Sequence, residues 1–255
     1  MTERPVYICV SQYADELQSG TMQVAQVIEK ASLLGADGVE LRPELWPNYE
    51  RDLTATRQLA RSLKLGVTYA TRSPLFSPDA ASQQALFHDV DTAIALGSPL
   101  LRVFPGQTPP DDDRAGWAGA LEVVDRAASR RIVLALENYV GMPGGTLAEI
   151  AHILDRIQSP ALGTNVDIGN YVVRGQNVLQ AIRTVGDRAV YAHLKDRPAD
   201  PEGAHTYLGG GTMPLHPILD ALDALPQEMI YCFEFAGEGQ PDERIRKSLA
   251  YLRER

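Results

Sequence analysis

The sequence predicts an α/β fold, a single (β/α)8 TIM barrel domain over residues 1–255. Short β-rich runs alternate with amphipathic helical patterns almost from end to end, which is typical of βα units in a parallel sheet. Eight such runs occur, and no linker, low-complexity tract or shift in composition divides the chain. An open doubly wound sheet fits less well, because the first run leads into SQYADELQSG, which lacks a glycine-rich phosphate turn.

The predicted strands are short runs of β-branched, aromatic and aliphatic residues. In order they are VYICVS (6–11), DGVELR (37–42), GVTYAT (66–71), LLRVFPG (100–106), IVLALEN (132–138), LGTNVDIG (162–169), VYAHLKD (190–196) and IYCFEFAG (230–237).

Amphipathic stretches connect these strands. TMQVAQVIEKASLLG and LTATRQLARSLKLG, for example, repeat apolar residues at three and four positions, which predicts helices that pack one face on the sheet. We expect helices to end at Gly35, Gly97 and Gly66, the last of which also begins the third predicted strand, because a residue without Cβ favours the left-handed turn that ends a helix. Residues 197–214 instead form a polar loop rich in Gly and Pro, and long βα loops of this kind often carry function.

Composition excludes several classes of function. The formal net charge of −9 disfavours nucleic acid as a partner, because proteins that bind nucleic acid carry basic surfaces. No run approaches the roughly 20 apolar residues of a membrane helix, so we expect no membrane partner and a cytoplasmic location. Cys9 and Cys232 lie in apolar runs, where buried thiols are expected rather than a disulfide or zinc ligands.

Four ionisable residues fall at the ends of predicted strands five to eight. They are Glu137 in LALENY, Asp167 in NVDIGN, His193 in AHLKDR and Glu234 in CFEFAG. Barrel enzymes place their sites at the C-terminal ends of the strands, so these side chains should meet at the barrel mouth. A single acidic residue at a strand end is often a helix cap or a salt-bridge partner, but four on consecutive strands favour a functional site.

Three crowded carboxylates would repel one another and raise their pKa values unless a cation lay among them. We therefore predict one divalent metal ion. Oxygen-rich ligation with a single imidazole favours Mn²⁺, Mg²⁺ or Co²⁺ over structural zinc, with Mn²⁺ as the first choice.

These segments, in this order, resemble the motifs of the xylose isomerase-like barrel superfamily, in its sugar phosphate isomerase/epimerase branch. GADGVEL and LGGGTMPLHPILDAL also resemble segments of that family, so the likeness covers nearly the whole chain. The resemblance implies that Glu137, Asp167, His193 and Glu234 bind one metal and that the two glutamates are the catalytic acid/base pair. It implies isomerisation or epimerisation of a ketose or related keto-sugar through a cis-enediolate, by a homo-oligomer such as a dimer or tetramer.

Three positions depart from that family pattern. Asn170 stands where family epimerases often have a histidine three residues after the metal-binding aspartate, and an amide cannot carry a proton at neutral pH. Pro143 replaces a further acidic residue, and Gly209-Gly210-Gly211 replaces a frequent Gly-Glu-Gly. The substrate and the exact reaction therefore stay open, and a dehydratase or lyase acting on a keto-sugar or keto-cyclitol is the main alternative.

Six residues are predicted to bind the substrate. Asn170 offers an amide to a hydroxyl, while Arg197 and Lys195 follow His193 and suit oxyanions. Glu40 and Tyr69 end strands two and three on the opposite half of the mouth, although internal pairing of Glu40 with a cation is equally compatible with the sequence. His205 lies in the loop after strand seven.

Two further alternatives are weaker. An apurinic endonuclease of the same superfamily would need additional histidines, which TYATRSP and LRVFPG at strands three and four lack, and the acidic charge also opposes DNA binding. A non-catalytic sugar-binding barrel would be expected to lose charged residues that strain the fold, whereas all four predicted ligands are present.

Overall fold

The computed structural model describes residues 4–77, 79–198, 200 and 203–255. It contains a closed barrel of eight parallel strands surrounded by helices in a single domain, which confirms the predicted fold. Each strand pairs with the next, and the first pairs with the last. The strands are β1 Val6–Cys9, β2 Gly38–Leu41, β3 Gly66–Phe76, β4 Leu100–Gly106, β5 Val133–Glu137, β6 Leu162–Asn165, β7 Ala189–Leu194 and β8 Ile230–Phe233.

Helices cover the outside of the barrel and bury their apolar faces on it. Within the described ranges they are α1 Ala14–Gln18, α2 Val24–Leu34, α3 Tyr49–Ser62, α4 Ala80–Leu96, α5 Arg114–Ser129, α6 Leu147–Arg156, α7 Ile168–Val173, α8 Val178–Val185, α9 Leu215–Asp223 and α10 Pro241–Glu254. None of the helices in the described part of the chain has the length and apolar character needed to cross a membrane.

The predicted helix ends are right at two glycines and wrong at the third. Gly35 and Gly97 take the left-handed conformation, with φ of 78° and 77°, at the ends of α2 and α4. Gly66 is instead the first residue of β3, and Lys64 takes the left-handed turn with φ of 60°. Gly66 has a packing reason, since a Cβ there would lie 1.7 Å from the Tyr7 hydroxyl.

Aromatic side chains fill the lower interior of the barrel. Tyr7 packs beside Cys9, Tyr191 and Cys232, and both cysteines are free and buried, as the sequence predicts. The Tyr191 hydroxyl lies 2.9 Å from the Thr68 hydroxyl, and the Tyr191 ring lies 5.1 Å from the ring of His193. The barrel is therefore closed beneath His193.

Strand β6 is shorter than the sequence predicts. It ends at Asn165, whereas the predicted strand runs to residue 169. The backbone turns into α7 because the Asp167 carboxylate accepts a hydrogen bond from Asn170 N at 2.9 Å and caps the helix. Asp167 therefore lies at a helix N-terminus just beyond the strand.

Strand β3 contains a bulge opposite β4. Ala70 pairs with Arg102 and Pro74 pairs with Phe104, so β3 advances four residues where β4 advances two. The extra residues bend the strand at the barrel mouth, where bulges commonly redirect side chains. Arg72 lies in this bulge and is exposed.

Candidate metal centre

The four predicted ligands come together at the C-terminal end of the barrel. Glu137 ends β5, His193 lies near the end of β7, Glu234 directly follows β8, and Asp167 caps α7 after β6. One donor atom from each lies within 4.8 Å of all the others. Neighbouring parallel strands bring their C-terminal ends to the same edge of the barrel. Residues at the ends of four consecutive strands therefore form one cluster.

His193 lies at the centre of the cluster. Its Nδ1 atom lies 3.5 Å from Glu137 Oε2, 3.6 Å from Asp167 Oδ2 and 3.4 Å from Glu234 Oε2. The ring is fully buried, yet Nδ1 forms no hydrogen bond with any described residue. On the other side of the ring, Nε2 lies 2.8 Å from Glu40 Oε2.

This arrangement fits a divalent ion. A proton on Nε2, directed at Glu40, leaves Nδ1 with a free lone pair that faces three carboxylate oxygens. Ligands at about 2.1 Å from an ion and at right angles lie about 3 Å apart, close to the distances around Nδ1. Three oxygens and one nitrogen are donors that borderline and hard divalent ions accept.

Glu137 is held from three directions. Arg102 Nε lies 2.8 Å from its Oε2 in a buried ion pair, and the amide groups of Asn165 and Asn170 donate to the same carboxylate at 3.3 and 3.2 Å. Burial raises the pKa of Glu137 and outweighs the opposing effect of Arg102. The fixed carboxylate therefore presents its oxygens to His193 in one orientation.

Glu234 is held by two cations. Arg42 and Lys195 both donate to its carboxylate, and Lys195 Nζ also lies 2.7 Å from Asp167 Oδ2. Burial alone would raise the pKa of Glu234, but Lys195 and Arg42 reverse the effect and lower it. Burial would likewise lower the pKa of Lys195, whereas Asp167 and Glu234 raise it.

Glu40 lies beneath the centre rather than at its surface. It is fully buried, accepts from Arg42 Nε at 2.9 Å, and contacts His193 through its other oxygen. Burial opposes its charge, but His193 and Arg42 lower the pKa of Glu40 well below its usual value. Glu40 is therefore an anion that orients the histidine.

Two buried asparagines build the frame around the ligands. The Asn138 side chain donates to the Asp167 carbonyl and accepts from the Asp167 N–H, both at 2.9 Å. The Asn165 side chain accepts from His193 N at 3.0 Å. Both follow or end apolar strands, and both are absent from the sequence prediction, as is Arg102.

A cavity of about 390 Å³ opens above the centre, a size that suits a small-molecule site. The stacked rings of Phe104 and Tyr139, with centroids 5.1 Å apart, form part of its wall. The described residues that line it are Ser11, Arg42, Glu44, Arg72, Arg102, Phe104, Glu137, Tyr139, Asn170, Lys195, Ala204, His205, Glu234, Phe235 and Ala236.

The structure brings three of the six predicted substrate residues to this cavity, namely Asn170, Lys195 and His205. Burial, followed by the charge of Lys195, lowers the pKa of His205 to about 4. Glu40 and Tyr69 are fully buried and do not line the cavity. Arg197 lies outside the lining too, and its backbone joins a hydrogen-bond network around Asp196.

A family model described as xylose isomerase-like TIM barrel matches residues 28–255. No curated protein matches the chain. Several solved structures share the fold at low sequence identity. The D-allulose 3-epimerase from Methylomonas sp., in complex with D-allulose, superposes with a TM-score of 0.78 at 18% identity, over 99% of this chain and 97% of that one.

Two other similar structures differ in what they are described to do. The probable 3-DHS dehydratase AsbF from Bacillus anthracis, involved in petrobactin synthesis, gives a TM-score of 0.77 at 13% identity over 98% of both chains. The IOLI protein with a bound zinc atom gives 0.79 at 15% identity, over 97% of this chain and 96% of that one. At these identities the likeness shows the fold alone.

Proposed function

Because the chain belongs to the xylose isomerase-like TIM barrel family, we propose that it is a divalent-metal-dependent isomerase or epimerase of a ketose or related keto-sugar. One observation carries the proposal, namely the buried Nδ1 of His193. It faces carboxylate oxygens of Glu137, Asp167 and Glu234 and has no hydrogen-bond partner among the residues that the structure describes. The epimerase described above, which binds D-allulose, supports the same class of substrate.

In this proposal Glu137, Asp167, His193 and Glu234 hold one ion, for which Mn²⁺ is the first choice and Mg²⁺ or Co²⁺ the alternatives. When bound, such an ion polarises a substrate carbonyl and makes the neighbouring C–H more acidic. Glu40 and Arg42 keep the ligands in place, Glu40 by its contact with His193 and Arg42 by its contacts with Glu40 and Glu234.

The two glutamates move the proton. Glu137 and Glu234 both border the cavity and come from β5 and the end of β8, so a substrate between them meets one carboxylate on each side. One removes the proton next to the carbonyl, which gives the cis-enediolate, and the other returns a proton. Return to the opposite face of the same carbon gives epimerisation, and return to the neighbouring carbon gives isomerisation.

The remaining lining residues bind and enclose the substrate. Asn170 and Lys195 offer hydrogen-bond donors to hydroxyl or carbonyl oxygens beside the two glutamates. His205 contributes to the lining from the loop after β7, and the stacked Phe104 and Tyr139 rings exclude water from one wall.

The experiment that tests the proposal is solvent exchange. The protein is loaded with Mn²⁺, its metal content is measured by elemental analysis, and a panel of ketoses is incubated in D2O and followed by NMR. We expect deuterium at the carbon next to the carbonyl, at a rate that Glu137→Gln or Glu234→Gln lowers by about 10²- to 10⁴-fold. The control is Glu29→Gln, an exposed position on α2 that does not line the cavity. A metal-loaded protein that exchanges no deuterium into any keto compound contradicts the proposal.

A dehydratase or lyase is the second candidate, favoured by the position of Lys195. Its ammonium group borders the cavity next to Glu234, where it can protonate a departing hydroxyl after Glu234 or Glu137 has removed the proton. The similarity to the probable dehydratase AsbF is consistent with this chemistry. Ultraviolet absorption from a new conjugated double bond distinguishes elimination from epimerisation.

A further inference from the structure

The β3 bulge places an arginine at the rim of the cavity. Arg72 lines the cavity, and its side chain is exposed. The guanidinium of Arg72 forms no hydrogen bond or ion pair with any residue that the structure describes. The other two arginines among the described lining residues, Arg42 and Arg102, are both engaged with glutamates.

The backbone that presents Arg72 is fixed on both sides. The hydroxyls of Thr71 and Ser73 donate to the same Asp89 oxygen, at 2.7 and 2.6 Å, and Asp89 is buried on α4. Arg102 also donates to the Thr71 carbonyl at 2.7 Å. These three hydrogen bonds hold the backbone on either side of Arg72. A residue that binds a ligand gains affinity from such a fixed backbone, whereas a surface arginine without a function has no need of it.

The charge around the cavity favours an anion once the ion is bound. Among the described residues, four cations and five carboxylates surround the centre. A divalent ion changes the net charge of these nine groups from one negative to one positive when His193 is neutral. The cations are Arg42, Arg72, Arg102 and Lys195, and the carboxylates are Glu40, Glu44, Glu137, Asp167 and Glu234.

We propose that Arg72 binds a carboxylate of the substrate, so that this enzyme acts on an acidic keto-sugar rather than a neutral ketose. This inference rests on the proposed function and names its substrate class. The planar guanidinium donates two parallel hydrogen bonds to a carboxylate. A phosphate is less well served, because the described part of the lining has a single guanidinium that is not engaged with a glutamate, and its two parallel donors match a carboxylate.

The test uses probes that differ only at one carbon. D-Fructose, D-fructuronate and D-fructose 6-phosphate carry a hydroxyl, a carboxylate and a phosphate at C6, and D-tagatose with D-tagaturonate repeats the first comparison. Deuterium exchange by the Mn²⁺-loaded protein gives kcat/KM for each probe. We expect the carboxylate probes to exceed their neutral partners about tenfold or more, and Arg72→Gln to lower that ratio by about 10- to 100-fold.

Two further variants make the result specific. Arg61→Gln removes the same charge from an exposed position on α3 outside the cavity, and the ratio should stay as in the wild type. Glu44→Gln removes a carboxylate from the cavity lining, which would repel a bound anion, and the ratio should rise.

The outcomes separate the inference from the proposed function. Exchange that is faster on the neutral ketoses, faster on the phosphate than on the carboxylate, or equally affected by Arg72→Gln and Arg61→Gln overturns the acidic substrate and leaves the proposed function standing. Exchange on none of the probes, neutral or charged, contradicts the proposed function itself.

Discussion

Replacing Glu40 by Gln should weaken Mn²⁺ binding by about 10- to 100-fold, although Glu40 is not a proposed ligand. One of its oxygens contacts His193 Nε2 at 2.8 Å and the other accepts from Arg42 Nε at 2.9 Å. A glutamine has one acceptor oxygen, and its NH2 group would face one of these two donors. Either His193 or Arg42 then loses its acceptor, so the ring is less firmly held with Nδ1 toward the carboxylates.

The magnitude follows from the contact that is lost. A hydrogen bond to a charged group contributes about 1.5–3 kcal/mol, and each 1.4 kcal/mol changes an equilibrium constant about tenfold. Loss of the orienting bond to His193 therefore corresponds to one to two orders of magnitude in Kd. Arg42 keeps its second acceptor, Glu234, so the variant should still fold.

Isothermal titration calorimetry of Mn²⁺ into the metal-free protein measures this effect. Wild type, Glu40→Gln and the exposed control Glu29→Gln are compared at one pH, and thermal unfolding verifies that each variant is folded. A Glu40→Gln protein that is folded and binds Mn²⁺ as tightly as the wild type would refute the orienting role of Glu40.

Three other predictions follow from the site and its surroundings. Removal of the ion with a chelator should lower the Tm, and Mn²⁺ at about 100 times its Kd should restore roughly 2.7 kcal/mol of stability, whereas an unchanged melting curve would argue against a folded-state site. Arg102→Leu leaves the buried Glu137 carboxylate without its ion-pair partner and should lower the free energy of unfolding in urea by about 3–5 kcal/mol; a smaller loss than that of a surface variant contradicts the pairing. Burial raises the pKa of Asp89. A raised carboxyl pKa means that the folded state binds the proton more tightly than the unfolded state. The stability gained from this tighter binding is present at low pH and is lost as the pH rises above about 4, the usual Asp value. Asp89→Asn should therefore gain stability relative to the wild type over that rise, and a constant difference across the pH range would show that the carboxyl does not titrate differently on folding.

The barrel could be predicted because its signal is repeated eight times. Each predicted run overlaps an observed strand, and the alternation with helices leaves few other topologies. The ends of strands and helices were harder to predict from the sequence. The sequence places Asp167 within an apolar strand, yet its carboxylate caps α7. Lys64 adopts the left-handed conformation at the end of α3, where the preference of glycine for that conformation had indicated Gly66.

The convergence of the four candidate ligands could be predicted from their positions at the strand ends, but the residues that hold them in place could not. Arg102 is visible in LLRVFPG, but both faces of a strand in a parallel barrel are buried, so the sequence does not show which face it occupies. Its partner Glu137 lies on the neighbouring strand 35 positions away, with no local spacing to connect them. Glu40 shows the same limitation. The alternation of residues along β2 does not reveal whether the Glu40 side chain lies at the barrel mouth or in the buried layer below it.

The filled interior below the site would determine the order in which the proposed ion and the substrate bind and leave. Tyr7 and Tyr191 close the interior under His193, so an ion held by the four proposed ligands must enter and leave through the cavity that also receives the substrate. If the proposed function holds, the ion would therefore bind before the substrate, and a bound substrate would block the exit of the ion. Working enzyme saturated with substrate should lose its metal to a chelator more slowly than resting enzyme.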